Sequence, residues 1–380
     1  MSGPTLTVAT EAIRANARRL RGQQELIAVV KADGFGLGAT TMAGAARSAG
    51  AALLGVATLS EAVELLATGA ADARVPVLAW LTDPDELAAA LPALVELALP
   101  SRAHLAALLS ALRRAPGAGG VRRVHLFVDT GMSRDGCPPA DWPALCAAAR
   151  SAERAGLITV VGVMGHLGCA DPGSVDHDLA KHRFAAAVAR ARRAGLRPRR
   201  CHLAATAACL DAPGTRHDAV RVGAGLAGID PSGQERLTPV ARLSAPVVQV
   251  RRALAGALVG YGTGTRLSAP TWLGLLPIGY ADGLPRTASG RGEVVIAGRR
   301  RPLLGAISMD QVVVDLGGAP VPVGTEATVF GAPGAPTLRD WADWAGTIEH
   351  DVLTGIGRRV RRVAVDHLAG DSPLSQQEAA

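Results

Sequence analysis

Eight short apolar runs punctuate the first ~230 residues of this chain, near positions 26–31, 53–57, 75–80, 95–99, 124–129, 159–166, 200–204 and 220–226. They read as continuous apolar runs instead of alternating, as strands covered on both faces of a parallel sheet do. Amphipathic stretches lie between several of them. Ile13, Asn16, Ala17 and Leu20 follow a 3.6-residue period, as do Ala62, Leu65 and Leu66. Strands alternating with helices in this number predict an α/β chain with an N-terminal (β/α)8 barrel of the TIM type. A doubly wound open sheet is the competing arrangement.

From about residue 237 the pattern changes. "PVVQVRRAL", "TWLGLLPIGYADG", "GEVVIAGRRRPLLGAISMDQVVVDLGG" and "GTEATVFG" are short β-rich runs broken by Gly and Pro. They predict a C-terminal mainly-β domain, closed by a helical piece, "TLRDWADWAGT", and a last strand, "RRVRRVAVD". The expected division is a barrel over 1–236, the β-rich domain over 237–368 and a disordered polar tail over 369–380. With 48 % apolar residues a sizeable core is available, and with 3 % aromatics it must be filled by Ala, Val and Leu.

Charge and cysteine usage narrow the class. The net charge is +7, but arginine is scattered in groups such as Arg299–Arg301 without aromatic interleaving. No nucleic-acid partner is expected from that distribution. Cys137, Cys146, Cys169, Cys201 and Cys209 form no CxxC pair and no even framework, which suits a reducing compartment. The start, "MSGPTLTVATEAIRANARRL", lacks the apolar core of a secretion signal, and no uninterrupted apolar run reaches membrane length. The expectation is a cytoplasmic chain with no membrane partner.

In a parallel barrel the chemistry sits at the carboxyl ends of the strands. "AVVKADGFGLGAT" ends an apolar run on Lys31. An amine that forms a Schiff base needs desolvation or a neighbouring cation to stay neutral. Other strand ends carry Asp129, Thr130 and Arg134, then His166, then Thr206, then Arg221, Gly223 and Ala224. Loops after the seventh and eighth strands often bind phosphate, and the Thr206 hydroxyl and the amides near Gly223 suit that task. A lysine facing a phosphate site is what pyridoxal 5'-phosphate requires, an aldehyde to capture and an anionic tail to hold.

The motifs "AVVKADGFGLGA", "VDTGMSRDG", "VRVGAGLAG", "VGYGTG", "PIGYADGLPR", "RGEVVIAGRRRPLLGAISMDQ" and "EHDVLTGIG" resemble the alanine racemase family along nearly the whole chain. The resemblance implies a pyridoxal-phosphate enzyme that interconverts L- and D-alanine as a homodimer whose active site is shared between subunits. It implies that Lys31 holds the cofactor and serves as one acid/base, with Tyr261 as the second base on the opposite face. Arg221 would meet the pyridine nitrogen and His166 would link Arg221 to Tyr261. The family's cofactor-contacting positions fall on Phe35, Thr206, Gly223, Ala224 and His350. Arg134, the Met309 amide with Asp310, and Tyr280 would handle the substrate. His125, His202 and the cysteines keep a structural reading, and no metal-ligand spacing occurs.

Racemisation needs a base on each side of the reacting carbon. A free tyrosine is a poor base near neutrality, so positive charge nearby must stabilise its phenolate. An arginine at the pyridine nitrogen keeps its own proton, which favours proton exchange over decarboxylation or transamination. Seen alone, Tyr261 would read as a turn aromatic, His166 as a core histidine and Arg221 as an ion-pair partner. Tyr261 and Tyr280 are the only tyrosines in the chain, and both fall on family positions.

Several positions depart from the family pattern. Phe35 replaces a tyrosine, Phe127 a lysine that is often carbamylated, Ala205 and Thr206 an Asn-Ser pair, Ala227 a tyrosine, and His350 a tyrosine beside the substrate side chain. The substitution at His350 predicts that serine or another small polar amino acid competes with alanine. The alternatives are a racemase for such an amino acid in a biosynthetic pathway, or a pyridoxal-phosphate enzyme of the same fold with another reaction. A non-catalytic cofactor carrier is the third reading.

Overall fold

The computed structural model describes residues 3–88, 93–114, 120–171, 174–261 and 265–368. The tail over 369–380 and the end of the "VGYGTG" motif lie outside the described residues. Strand β1 (Thr5–Ala9) comes first, followed by the helix Thr10–Arg21. Eight parallel strands follow: β2 (Glu25–Val29), β3 (Ala51–Val56), β4 (Val77–Ala79), β5 (Val95–Leu99), β6 (Arg122–Phe127), β7 (Ile158–Met164), β8 (Arg200–His202) and β9 (Ala219–Val222). β9 pairs back onto β2, with Glu25 opposite Ala219 and Ala28 opposite Val222. The barrel is therefore closed, and the open-sheet alternative is excluded.

Alternation along each strand sends every second side chain inward. Ile27, Leu53, Leu78, Ala98, Phe127, Met164 and Ala219 form the inner apolar cluster. The same rows carry buried polar groups two positions away: Glu96 beside Ala98, His125 beside Phe127, and Arg221 beside Ala219. Gly162 on β7 makes room for them, since a Cβ there would stand 2.1 Å from Nδ1 of His125.

Strands Ala241–Pro246, Gln249–Ala253, Thr271–Leu276, Glu293–Ile296, Arg299–Leu304, Val312–Gly317, Glu326–Phe330 and Arg361–Val365 build the expected β-rich region. They form one nine-stranded sheet together with β1, which runs antiparallel to Ala241–Pro246 and parallel to Arg361–Val365. The first strand thus falls within the stretch read as barrel but pairs in the sheet of the second region. The helical piece forms as Leu338–Ala345, with a capping box between Thr337 and Asp340. Its buried Trp341 donates from the indole nitrogen to the Val329 carbonyl at 2.8 Å. A short helix, Glu349–Thr354, then brings His350 toward the barrel mouth, where its ring meets Phe35. Among the described residues no helix is long and apolar enough to cross a membrane.

Several barrel strands end earlier than their apolar runs. β2 stops at Val29, not 31, and β9 at Val222, not 226. Val30 still donates to the Gly55 carbonyl at 2.8 Å, but the chain then turns away from the sheet. Lys31, Arg134, His166, Thr206 and Gly223 consequently lie past the carboxyl ends of the strands, with Arg221 still on β9.

Candidate active site

Past Val30 the backbone coils left-handed. Ala32, Asp33 and Phe35 have φ of 53°, 51° and 58°, a region that L-residues disfavour. Bonds within the coil run from the Gly36 N–H to the Ala32 carbonyl at 2.9 Å and from the Gly38 N–H to the Asp33 carbonyl at 2.9 Å. Arg362, from the last strand of the sheet, donates to the Gly36 carbonyl at 2.9 Å. Strain of this kind persists only where the surroundings over-determine it.

The turn begins at Lys31, whose amine lies 5.8 Å from the centre of the Trp80 ring at the end of β4. Burial lowers its proton affinity, and the charges of Arg134 and Arg221 lower it further against the opposing pull of Glu61. These are the conditions under which a lysine amine becomes a nucleophile or base. The chain holds only two lysines, Lys31 and Lys181, among forty basic Lys and Arg residues. Arginine could not serve here, because it does not deprotonate.

Arg221 projects from β9 and is buried. Its Nη2 donates to the Gly165 carbonyl at 3.0 Å and to Nδ1 of His166 at 2.9 Å, and its Nη1 donates to Nδ1 of His202 at 3.0 Å. The guanidinium only donates, so the facing ring nitrogens must accept and the tautomers are fixed. His202 must carry its proton on Nε2 and donate to Nδ1 of His125, 2.9 Å away. His125 then donates from Nε2 to Glu96 at 2.8 Å. Burial would raise the Glu96 carboxyl, yet the His125 contact and the charges of Arg123 and Arg200 hold it at about 2. The barrel interior therefore contains a polar chain running from an ionised carboxylate to the guanidinium. Burial, followed by the charge of Arg221, pushes His166 down to about 3, so its ring is neutral with the proton on Nε2.

The anion-binding elements lie beside this chain. The Thr206 hydroxyl accepts the Gly225 N–H at 3.0 Å, which leaves its own proton to donate. Among the described residues the Gly223 and Ala224 amides meet no acceptor. A Cβ at Gly223 would stand 2.6 Å from Cζ of Phe35, so the ring packs directly against this residue. These donors, with Lys31 and Arg221 nearby, fit an anionic cofactor bearing an aldehyde. Arg134 is exposed and contributes its charge to Lys31 and His166. Phe127 is buried in the inner apolar cluster. The ring of His350 lies 6.2 Å from that of Phe35, and its proton affinity is lowered by burial and then by the charge of Lys31.

The remaining sequence-predicted residues gather elsewhere. Tyr261, Tyr280 and Met309 are 74 %, 41 % and 53 % exposed on the β-rich region. Tyr280 donates its N–H to the Ser308 carbonyl and Ala281 to that of Met309, each at 3.0 Å. Asp310 accepts from Arg359 Nη1 at 2.6 Å. Among the described residues no hydrogen bond, ion pair or ring contact joins these side chains to Lys31, Arg221 or His166. The sequence reading did not single out Trp80 or Glu96. An aromatic closing the β4 run was the available signal for the first, and a lone carboxylate inside an apolar strand for the second.

The descriptions "Alanine racemase, N-terminal domain" and "Alanine racemase, C-terminal domain" match residues 8–231 and 240–364. The chain is 43 % identical over 354 residues to a protein of Thermobifida fusca named alanine racemase, covering 91 % of this chain and 93 % of that one. It is also 43 % identical over 363 residues to the alanine racemase of Mycobacterium bovis, covering 92 % and 93 %. The crystal structure of alanine racemase from Streptomyces lavendulae superposes with a TM-score of 0.89 at 38 % identity, over 97 % of this chain and 98 % of that one. That from Bartonella henselae, with covalently bound pyridoxal phosphate, gives 0.83 at 26 % identity, over 96 % and 100 %.

Proposed function

The chain belongs to the alanine racemase family, and on that premise we propose that it interconverts L- and D-alanine, with Lys31 and Tyr261 exchanging the Cα proton from opposite faces. The observation that carries this reading is the amine of Lys31, depressed in proton affinity by burial and by Arg134 and Arg221, beside amides and a hydroxyl proton without acceptors of their own.

When bound, pyridoxal phosphate supplies an aldehyde for the amino group and a conjugated ring that delocalises the charge left by the departing proton. Thr206, Gly223 and Ala224 would hold its phosphate, beside the ring of Phe35, and Arg221 would meet its ring nitrogen. Lys31 gives and takes a proton on one side. Tyr261 does so on the other, with the neutral His166 linking it to Arg221. Arg134, the Met309 amide supported by Asp310, and Tyr280 receive the substrate carboxylate and line the entrance.

The substrate is a small amino acid. Tyr261, Tyr280 and Met309 are exposed and, among the described residues, make no hydrogen bond, ion pair or ring contact with Lys31, which supports a homodimer in which each β-rich region completes the other subunit's barrel. The proposed division of labour is a cofactor-binding barrel over 1–236 and a completing domain over 237–368. The thiols of Cys137, Cys146, Cys169, Cys201 and Cys209 are free, which supports a cytoplasmic setting.

A second reading, that serine or another small polar amino acid is a competing substrate, is favoured by His350, whose polar ring faces Lys31 and Phe35. Retention of Tyr261 speaks against a one-base reaction on the same fold. The deciding experiment loads the protein with cofactor in heavy water and follows Cα deuteration and chirality for L- and D-alanine and L- and D-serine. Exchange with inversion is expected. Exchange without inversion would remove Tyr261 from its role.

A further inference from the structure

Glu61 stands outside the constellation just described, on the helix Leu59–Ala67 that follows β3. Its N–H donates to Thr58 Oγ1 at 3.3 Å and its Oε2 accepts the Thr58 N–H at 3.1 Å, the reciprocal bonds of a capping box. Oε2 also accepts the Ala57 N–H at 2.9 Å. Capping this helix requires nothing more from the residue. Yet Oε1 reaches to the neighbouring loop and accepts the Ala32 N–H at 2.6 Å.

Ala32 is the residue at which the backbone enters its left-handed coil, one peptide beyond Lys31. The coil's later groups have other partners: Asp33 Oδ1 accepts the Ala39 N–H at 2.8 Å, and Arg362 binds the Gly36 carbonyl. Among the described residues its first amide has only Glu61. One carboxylate thus ties the loop after β2 to the helix start after β3, and its negative charge acts on Lys31 against the charges of Arg134 and Arg221.

We propose that Glu61 is a positioning residue for Lys31, locking the left-handed turn that aims the amine and setting a compensating charge beside it. The inference rests on the reading of Lys31 as the reactive amine. Because the chain has two lysines, Lys181 serves as an internal reference within the same molecule. Full-length protein stripped of cofactor is acylated with an amine reagent across pH, and the two lysine peptides are quantified by mass spectrometry. Pyridoxal phosphate affinity is measured alongside.

Glu61→Gln removes the charge, so the midpoint for Lys31 should fall by about half a pH unit or more relative to Lys181. The affinity should weaken by about tenfold or more, the range for a lost hydrogen bond to a charged group. A lysine merely released into water by a collapsed turn would move the other way, upward. If either quantity stays within about twofold of the parent, or the midpoint rises, the proposal is overturned. Should that variant not fold, Glu61→Asp carries the test: it keeps the charge but shortens the reach, so affinity should fall while the midpoint holds. Unchanged affinity in Glu61→Asp overturns the proposal. Failure of the underlying reading is separately visible, because borohydride reduction of the parent with cofactor would then label no Lys31.

Discussion

Arg221 donates to Nδ1 of His202 across 3.0 Å, and this bond sets the direction of every proton in the interior chain behind it. His202 passes its Nε2 proton toward His125, and His125 toward Glu96. A buried guanidinium is thereby oriented by groups that lie deep in the barrel. His202→Leu should remove an acceptor from a buried charge and cost about 2–3 kcal/mol of stability. His202→Gln retains an amide oxygen and should cost less. Urea denaturation of both variants is the check, and equal losses would mean the acceptor is not what matters.

The same burial makes the fold acid-sensitive. His166 is held at about 3 in the folded chain, against an unfolded value near 6.5. The unfolded state therefore binds more protons between those limits, and stability falls as pH drops from about 6.5 toward 3, by at most about 1.4 kcal/mol per unit for one group. His202 is also lowered by burial and adds in the same direction. Glu96, held at about 2, contributes only as pH falls below the usual carboxylate range of about 4.3. Between pH 6.5 and 5 the slope should therefore come from histidines, and His166→Asn should make it shallower, leaving the share of His202, His217 and His350. A slope unchanged in that variant would rule the ring out.

The barrel was legible because runs such as 26–29, 53–56 and 77–79 are apolar on both faces, which no half-exposed strand would be. Lys31 was legible as a lone amine where such a run ends. The left-handed turn was not, because glycines advertise positive φ only at their own positions, whereas Ala32 is held by Glu61 and the Gly36 carbonyl by Arg362, both far along the chain. Glu96 was hidden inside the run "VELAL", where its partner His125 lies on the next strand. The pairing of β1 with Arg361–Val365 likewise has no local signature, since periodicity reports which face is buried and not what covers it.

Gly223 is the position where the anion cradle and the lysine turn touch. A methyl there would stand 2.6 Å from Cζ of Phe35 and 3.1 Å from Cβ of Val29, closer than packed carbons allow. Gly223→Ala should cost about 1–3 kcal/mol of stability, the usual range for overpacking. It should also displace the Phe35 ring and weaken cofactor binding by about tenfold. Adding Phe35→Leu should recover much of that affinity, because it withdraws the ring atoms that the methyl meets. An absorbance titration with pyridoxal phosphate on the single and double variants reads both effects. If the double variant binds no better than Gly223→Ala alone, the ring is not the obstacle.

His350 decides how selective the pocket can be. Burial and the charge of Lys31 both favour its neutral ring, which offers one donor and one acceptor near neutral pH. A hydroxymethyl side chain could satisfy one of them, whereas a methyl can satisfy neither, so serine gains relative to alanine at this site. Pockets separate side chains of this size difference by about a hundredfold at most. Serine should accordingly fall within about a hundredfold of alanine in kcat/KM for the parent enzyme. His350→Tyr fills the space beside Phe35 with a larger ring, and the alanine preference should widen by about tenfold. Steady-state kinetics with both amino acids on both proteins settles the matter. A ratio that does not move would place the selectivity elsewhere, on the exposed surface around Tyr280 and Met309.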